Sequence, residues 1–480
     1  MVGKMSKEEK KILFVASEAN PYAGTGGLGD VIGSLPKSIA AADPQADVRV
    51  VIPLYGTIKE EYRKQMTKVD EFYVGLSWRN QYCGVYMLKN QGVTFYFLDN
   101  EYYFKRNVLY GNYDDGERYA YFCKAAMEMT ARQNFIPDIL HANDWQAALS
   151  VIYLKYKYHF PGTKAIYTIH NIEYQGMYGL EILGDVFDLG PEAQADVTYN
   201  GCINLTKGAM VCADKITTVS QRYSEEIRME YFASGLHYAV RDCSYKLCGI
   251  VNGIDYAEYD PKKNKDIPAN YSKTNMKNKQ LCKLEVQRLF GLPESPHPPL
   301  VAMISRLASH KGFDLVRYVM EDLLQRDLQF VLLGTGEAEL EQFFDNMSKK
   351  YPQKCRVMLA YNKAIAKTIY AGADIFLMPS KSEPCGLAQM MACRYGTVPV
   401  VREVGGLYDT IHAFNPETGT GNGVTFKSYD AYDMLNAVDR ALGLYENQRN
   451  WKKITYNAMD SDFSWQRSAQ SYLELYNSIL

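Results

Sequence analysis

The stretch Gly24-Thr25-Gly26-Gly27-Leu28-Gly29-Asp30 offers backbone N–H groups that no side chain shields, and such groups bind anions when they stand at a helix N-terminus. Gly24, Gly26 and Gly29 also satisfy the G-x-G-x-x-G spacing of dinucleotide-binding proteins. That fingerprint needs its first glycine in the turn directly after a strand, whereas here the apolar run 12–16 is followed by seven residues before Gly24. Two readings remain: a nicotinamide fingerprint, or a loop that carries the N–H groups of Gly26 and Gly27 over a neighbouring cleft to an anion, with Asp30 opening a helix over 31–41. The spacing favours the loop.

Cations and a carboxylate that suit the same chemistry stand further along. Arg306 and Lys311 follow the apolar run 300–304 and precede a helix beginning after Gly312. Each charge-assisted bond to a phosphate is worth about 1.5–3 kcal/mol, so the pair can hold a diphosphate without a metal. Ser382-Glu383-Pro384-Cys385-Gly386-Leu387 follows the run 375–378. Pro384 keeps Glu383 out of the helical region, and the N–H groups of Gly386 and Leu387 face an anion at the start of the next helix. A carboxylate there can grip hydroxyls of a sugar carried by that phosphate. His170 ends the run 165–170, and Asp144 follows the run 139–141. Any one of these residues alone also fits a solvated surface pair or a satisfied strand-end group; their joint placement after strands is what points to a site.

Strand-sized apolar runs must position them. They lie at 12–16, 48–52, 94–98, 139–141, 165–170 and 215–219, then, past a polar stretch 261–266, a helix over 281–290 and a proline-rich segment 293–299, at 300–304, 330–333, 356–359, 375–378 and 398–401. Runs alternating with helical segments predict an α/β chain of two doubly wound, Rossmann-like domains with a cleft at the carboxyl ends of both sheets. The domain limits expected are 1–255 and 256–460. Residues 461–480 form an amphipathic helix with Trp465, Ala469, Tyr472, Leu473, Tyr476 and Ile479 on one face.

Composition narrows the partners. A net charge of −2 supplies no field for nucleic acid or an anionic membrane, and no apolar run approaches the ~20 residues of a membrane span. Lys7, Glu8, Glu9 and Lys10 do not form a secretory leader, so a cytoplasmic location is expected. Ten cysteines without a C-x-x-C pair read as reduced, mostly buried thiols, and seven histidines lack the H-x-x-x-H spacing of a metal site. Asp460-Ser461-Asp462 has the form of a cation-holding D-x-D but reads as turn and capping chemistry before the last helix. Neither a metal nor a cofactor is expected.

Taken in order, these motifs resemble the bacterial glycogen synthases and plant starch synthases. The resemblance runs through Ser17-Glu18, Thr25 to Gly33, Ile169-His170-Asn171, Tyr174-Gln175-Gly176, Asn252-Gly253, Ser305-Arg306 with Lys311-Gly312, Glu383 to Leu387, Gly405-Gly406-Leu407 and Asp462 to Gln466. It implies a GT-B architecture, in which the C-terminal helix crosses back to the first domain. It also implies retaining transfer of glucose from a nucleotide sugar, ADP-glucose in most bacterial members, to the non-reducing end of an α-1,4-glucan. In that likeness Arg306 and Lys311 stabilise the departing diphosphate, Glu383 binds the glucose hydroxyls, and His170 bonds the sugar near the reacting carbon. Asp144 shapes the acceptor side, Gly26 and Gly27 close on the phosphates, Asp30 faces sugar or acceptor, and Tyr361 covers the nucleobase; Asn252, Cys385, Gly386 and Leu387 line the substrate.

The chain departs from the pattern in several places. Gly24 stands where the family often has a lysine, which removes a phosphate cation and leaves UDP-glucose open as donor. Asn143 replaces the second histidine of a common H-A-H-D-W segment. Ala388 stands where threonine is frequent, and Met391 where related retaining transferases carry a second glutamate. Three alternatives stay open at this point: a catalytically silent glucan-binding protein on the same scaffold, a nicotinamide-dependent dehydrogenase, and phosphorylase-like chemistry that needs pyridoxal phosphate. Oligomeric state is not readable.

Overall fold

Short apolar runs buried on both faces are satisfied only inside a sheet covered by helices, and this chain builds two such sheets. The computed structural model describes residues 9–480; Lys7 and Glu8, on which the expected lack of a leader partly rests, lie outside the described residues. Contacts divide the chain into one unit of residues up to Gly253 together with Trp465–Leu480, and a second unit of Ile254–Ser464. The limits expected from sequence, 255 and 460, fall a few residues away.

The first unit holds strands β1 (Lys11–Val15), β2 (Asp47–Pro53), β3 (Thr67–Leu76), β4 (Arg79–Asn90), β5 (Val93–Asp99), β6 (Ile139–Asn143) and β7 (Lys164–Ile169). After them come the short β8 (Met177–Tyr178), β9 (Thr198–Tyr199) and β10 (Cys202–Asn204), then β11 (Lys215–Thr218) and β12 (Leu247–Gly249). The main sheet has the order β12-β11-β7-β6-β1-β2-β5-β4-β3, and β8, β10 and β9 form a separate small antiparallel sheet. Pairing is parallel from β12 to β5, with Val15 opposite both Val51 and Ala142. The hairpin β3–β4 extends the edge in antiparallel sense. Sequence periodicity passes over this hairpin because β3 is exposed along most of its length and has no continuous apolar run.

Helix 27–42 buries Leu28, Val31, Ile32, Leu35 and Ile39, a spacing that keeps one apolar stripe on one face. The final helix Trp465–Asn477 packs against it in the same unit and buries Trp465, Ala469, Tyr472, Leu473 and Tyr476. Burial of each large side chain contributes about 1.5–3 kcal/mol. The seam also carries polar fastenings: Ser468 Oγ donates to the Val251 carbonyl at 2.7 Å, and the Tyr476 hydroxyl meets His141 Nδ1 at 2.8 Å.

The second unit has strands β13 (Leu300–Ile304), β14 (Gln329–Leu333), β15 (Cys355–Met358), β16 (Ile375–Met378), β17 (Val398–Arg402) and β18 (Val424–Phe426), all parallel, in the order β15-β14-β13-β16-β17-β18. Neighbouring residues of one strand serve opposite cores. Val301 and Met303 join Phe330, Leu332 and Leu377 on one face, and Leu300 and Ala302 join Val331, Leu333 and Phe376 on the other. Both faces are buried, so period-2 alternation is hidden in these strands and only their length and flanking turns reveal them.

One local expectation is corrected. The first helix begins at Gly27, with Gly26 as its N-cap, and Asp30 lies in its first turn instead of opening it. Glycine residues are poor helix formers, which hides the start from sequence. Here burial of Leu28 and Val31 outweighs that preference.

Candidate functional site

Ligands of open α/β sheets bind where the strand order turns round, outside the carboxyl ends of the strands. In the first sheet that point lies between β1 and β6, and in the second between β13 and β16. The glycine loop follows β1 and Asp144 follows β6; Arg306 and Lys311 follow β13 and Glu383 follows β16. Every charged candidate except Asp30 thus leaves a strand at or next to a switch point, with His170 one strand further out, after β7.

In the second unit Lys311 and Glu383 are brought together. The Lys311 ammonium donates to Glu383 Oε1 at 2.8 Å and Oε2 at 2.7 Å, and the buried Ser380 hydroxyl donates to Oε2 at 2.9 Å. Glu383 is only 6% exposed, so its charge depends on these partners. The two loops are tied by Lys381 N–H to the His310 carbonyl at 2.9 Å, while Arg402 Nη1 holds the Lys381 carbonyl at 2.9 Å. Gly312 sits at φ +80°, and a Cβ there would stand 2.1 Å from the Pro379 carbonyl oxygen, so only glycine lets the β13 loop pass this close to the β16 loop. Gly405 plays the same part on the other side, at φ +46° and with its Cβ position 2.0 Å from the Glu383 carbonyl oxygen.

Arg306 is exposed and makes no side-chain hydrogen bond or ion pair among the described residues, which leaves its guanidinium open to an external anion. Cys385 is buried; Gly386 has φ +70° and, with Leu387, precedes a helix that begins at Ala388. Tyr361 follows β15 and is 90% exposed. Met391 and Ala388 pack against the core beneath. Of the acidic pair before the last helix, Asp460 is ion-paired with Lys273 and Asp462 accepts the Ser464 N–H, as turn and capping chemistry requires.

The first unit holds a second cluster. Asp144 adopts φ 57° and ψ 177°, a conformation that side chains other than glycine seldom take and that costs about 1–3 kcal/mol. The strain aims its carboxylate back, so that Oδ1 accepts the His170 N–H at 2.8 Å. Burial pushes the Asp144 carboxyl up to about 7, against the lowering effect of the His170 and Asn171 N–H groups. His170 is held at its ring as well, with Nε2 3.0 Å from Asn143 Oδ1. Asn143 donates through Nδ2 to the His141 and Val15 carbonyls, so its Oδ1 accepts, and His170 carries its proton on Nε2. Burial lowers the imidazole to about 3, so it is neutral and presents Nδ1 as an acceptor. Asn143 thus does structural work at the position where the family often has histidine.

The glycine loop hangs on Glu18, a buried carboxylate that accepts Thr25 N–H at 2.8 Å, Thr25 Oγ1 at 2.7 Å and the Tyr110 hydroxyl at 2.6 Å. A Cβ at Gly24 would meet Asn20 Oδ1 at 2.3 Å, whereas at Gly26 and Gly27 it would meet no atom of the described residues within 4 Å. Gly24 therefore packs closely on the Asn20 side chain, and the space over Gly26 and Gly27 holds no atom of the described residues. Asp30 takes a hydrogen bond from Asn20 Nδ2 at 2.7 Å. Asn252 is buried with Oδ1 unpartnered. Glu18, Tyr110, Ser380 and Asn143 were not singled out for these roles from sequence, because a supporting hydrogen bond leaves no spacing signal. Gly334 and Gly336 were also missed; they pack against Ser305 and Leu307 just after β14, and a G-x-G after a strand is the signal that could have found them.

Residues 11–242 match the family model described as the starch synthase catalytic domain, and residues 289–458 match that of the group 1 glycosyl transferases. A glycogen synthase of Ligilactobacillus salivarius (strain UCC118) is 45% identical over 476 residues, 98% of this chain and 100% of that protein. A glycogen synthase of Bacillus cereus (strain B4264) is 43% identical over 475 residues, covering 98% and 99%. Among solved structures, the catalytic domain of starch synthase IV from Arabidopsis thaliana bound to ADP and acarbose superposes with a TM-score of 0.89 at 30% identity, covering 98% of this chain and 99% of that one.

Proposed function

The chain belongs to the glycogen and starch synthase family of glycosyltransferases, and from that premise we propose that it transfers glucose from ADP-glucose to the non-reducing end of an α-1,4-glucan with retention at the anomeric carbon. It is a glucosyl-transferring enzyme of two-domain α/β fold. ADP as the nucleotide is supported by the ligand of the Arabidopsis relative. The observation that carries the reading is the Lys311–Glu383 pair at a switch point, a cation and a carboxylate held together where a phosphate and a sugar would part.

In this proposal the diphosphate takes Lys311 and Arg306, and Glu383, still held by Ser380, accepts glucose hydroxyls. The bond between the anomeric carbon and the diphosphate oxygen breaks while the acceptor hydroxyl oxygen bonds to the same face, and its proton passes to the leaving phosphate. Fixed cations stabilise most where charge builds, on the leaving group. His170 Nδ1 accepts a sugar hydroxyl, Asp144 keeps His170 in place, and Asp30 and Asn252 bind sugar or acceptor. The N–H groups of Gly26, Gly27, Gly386 and Leu387 bind phosphate or sugar oxygens beside Cys385, and Tyr361 covers the base. No residue of the set requires a metal. The cytoplasm is the proposed location, supported by ten cysteines that are all free thiols.

Incorporation of labelled glucose into alcohol-insoluble glucan, primed with glycogen and without added metal, tests the reading. ADP-glucose is expected to be the better donor by at least about tenfold, or about 1.4 kcal/mol of transition-state binding. A preference for UDP-glucose overturns the donor assignment, and no incorporation from either donor by the folded protein overturns the synthase reading.

The empty space over the glycine loop yields a sharper result. Gly26→Val and Gly27→Val put a side chain where the described residues have no atom within 4 Å, so the melting temperature is expected to stay within about 4 °C, a change of about 1–2 kcal/mol that includes the loss of the Gly26 N-cap. Donor kcat/KM is expected to fall by at least about tenfold, because the side chain occupies the space assigned to phosphate oxygens. Full activity in both variants removes the loop from the donor site.

A further inference from the structure

The helix Gln448–Asp460 carries Arg449, Lys452 and Lys453 close to its N-terminus and has no acidic residue in its first turn. That arrangement runs against two ordinary preferences. Cations are disfavoured at the positive end of a helix, and like charges three and four residues apart repel. None of the three makes a hydrogen bond or ion pair among the described residues. Lys452 only lies over the Tyr456 ring, 5.4 Å from its centroid. Nearby Lys273, by contrast, is neutralised by Asp460.

The same three cations line one cavity of about 360 Å³, closed on its other side by the loop Pro416 to Gly419. This volume lies at the lower end of the range for small-molecule sites. The loop is a preformed wall: Asn457 Nδ2 donates to the Gly419 and Gly421 carbonyls at 2.8 and 2.7 Å, Glu417 N–H reaches Asn415 Oδ1 at 2.8 Å, and Thr418 and Thr420 share a hydroxyl bond at 2.7 Å. Glu417 is the one carboxylate on the rim, against three positive charges. None of the lining residues belongs to the strand-end loops that hold Arg306, Lys311 or Glu383.

We propose that this cavity is a second ligand site, for the phosphate group of a small phosphorylated molecule of about hexose size. Arg449 supplies a planar fork for two phosphate oxygens, and Lys452 and Lys453 supply point charges. The anion removes the repulsion among the three, which explains why they stand together without acids. A neutral glucan leaves that charge uncompensated.

Calorimetric titration of the full chain with inorganic phosphate, glucose 6-phosphate and glucose tests the site. Saturable binding of both phosphates and none of glucose is expected. In the triple variant Arg449→Gln, Lys452→Gln, Lys453→Gln the dissociation constants are expected to rise at least about tenfold, while Arg306→Gln, at an exposed position of the first site, leaves them within about twofold. Tighter binding of glucose 6-phosphate than of inorganic phosphate assigns the site to sugar phosphates, and equal binding assigns it to the free anion. Absence of saturable binding, binding unchanged in the triple variant, or binding lost in Arg306→Gln overturns the proposal. All three substitutions are on exposed positions, and unchanged glucan synthesis by the triple variant in the absence of phosphates verifies that it is folded.

Discussion

Lys311→Ala is expected to lower kcat by at least about a hundredfold, the usual cost of losing one fixed stabiliser of transition-state charge, and Glu383→Ala by a similar factor. The pair makes the two effects separable. Removing Lys311 strands a carboxylate that is 6% exposed and, among the described residues, keeps only the Ser380 hydroxyl as partner, and breaking a buried pair from one side costs about 3–5 kcal/mol. Lys311→Ala is therefore expected to lose stability as well as turnover. Adding Glu383→Gln to Lys311→Ala removes the stranded charge while keeping an acceptor for Ser380, so the melting temperature is expected to recover and the activity to stay lost. Near-normal turnover in Lys311→Ala would falsify the assignment of the leaving-group cation.

Acid is expected to unfold the first unit through buried imidazoles, with Asp144 opposing them. Burial holds both His141 and His170 at about 3, below their ordinary 6.5. The unfolded chain binds two more protons there, so stability is lost as pH falls from 6.5 towards 3. The Asp144 carboxyl is raised from 3.8 to about 7. The folded state binds one more proton at that group, and stability is lost there as pH rises from about 4 towards 7. Between pH 4 and 6.5 the three groups leave a net of two minus one, one proton, or about 1.4 kcal/mol of stability lost per pH unit on acidification. In urea unfolding between pH 5 and 6.5, His141→Gln is expected to bring that contribution near zero and Asp144→Asn to raise it to about 2.7 kcal/mol per unit. Equal slopes in the wild type and both variants would mean that these groups are open to water in the folded state.

Fold class and the chemistry on offer can be read from the order and type of the residues. Strand-length apolar runs such as 300–304 and 375–378 coincide with β13 and β16 because chain length and flanking turns mark a doubly buried strand even when its alternation is hidden. The final helix was legible from the spacing of Trp465, Ala469, Tyr472 and Tyr476, since a helix must turn one stripe to the core. Residue type together with joint placement after strands pointed to Arg306, Lys311 and Glu383 as candidates for phosphate and sugar. Adjacency, by contrast, comes from the folded chain. Strand order is set by how helices cover the sheet faces, a long-range choice that no local window contains, and it alone makes β13 the neighbour of β16 and brings Lys311 within 2.7 Å of Glu383. The same holds for residues that act by supporting others: Asn143 and Ser380 show no pattern of their own, because one hydrogen bond across a loop depends on where the chain returns, not on what surrounds it in sequence.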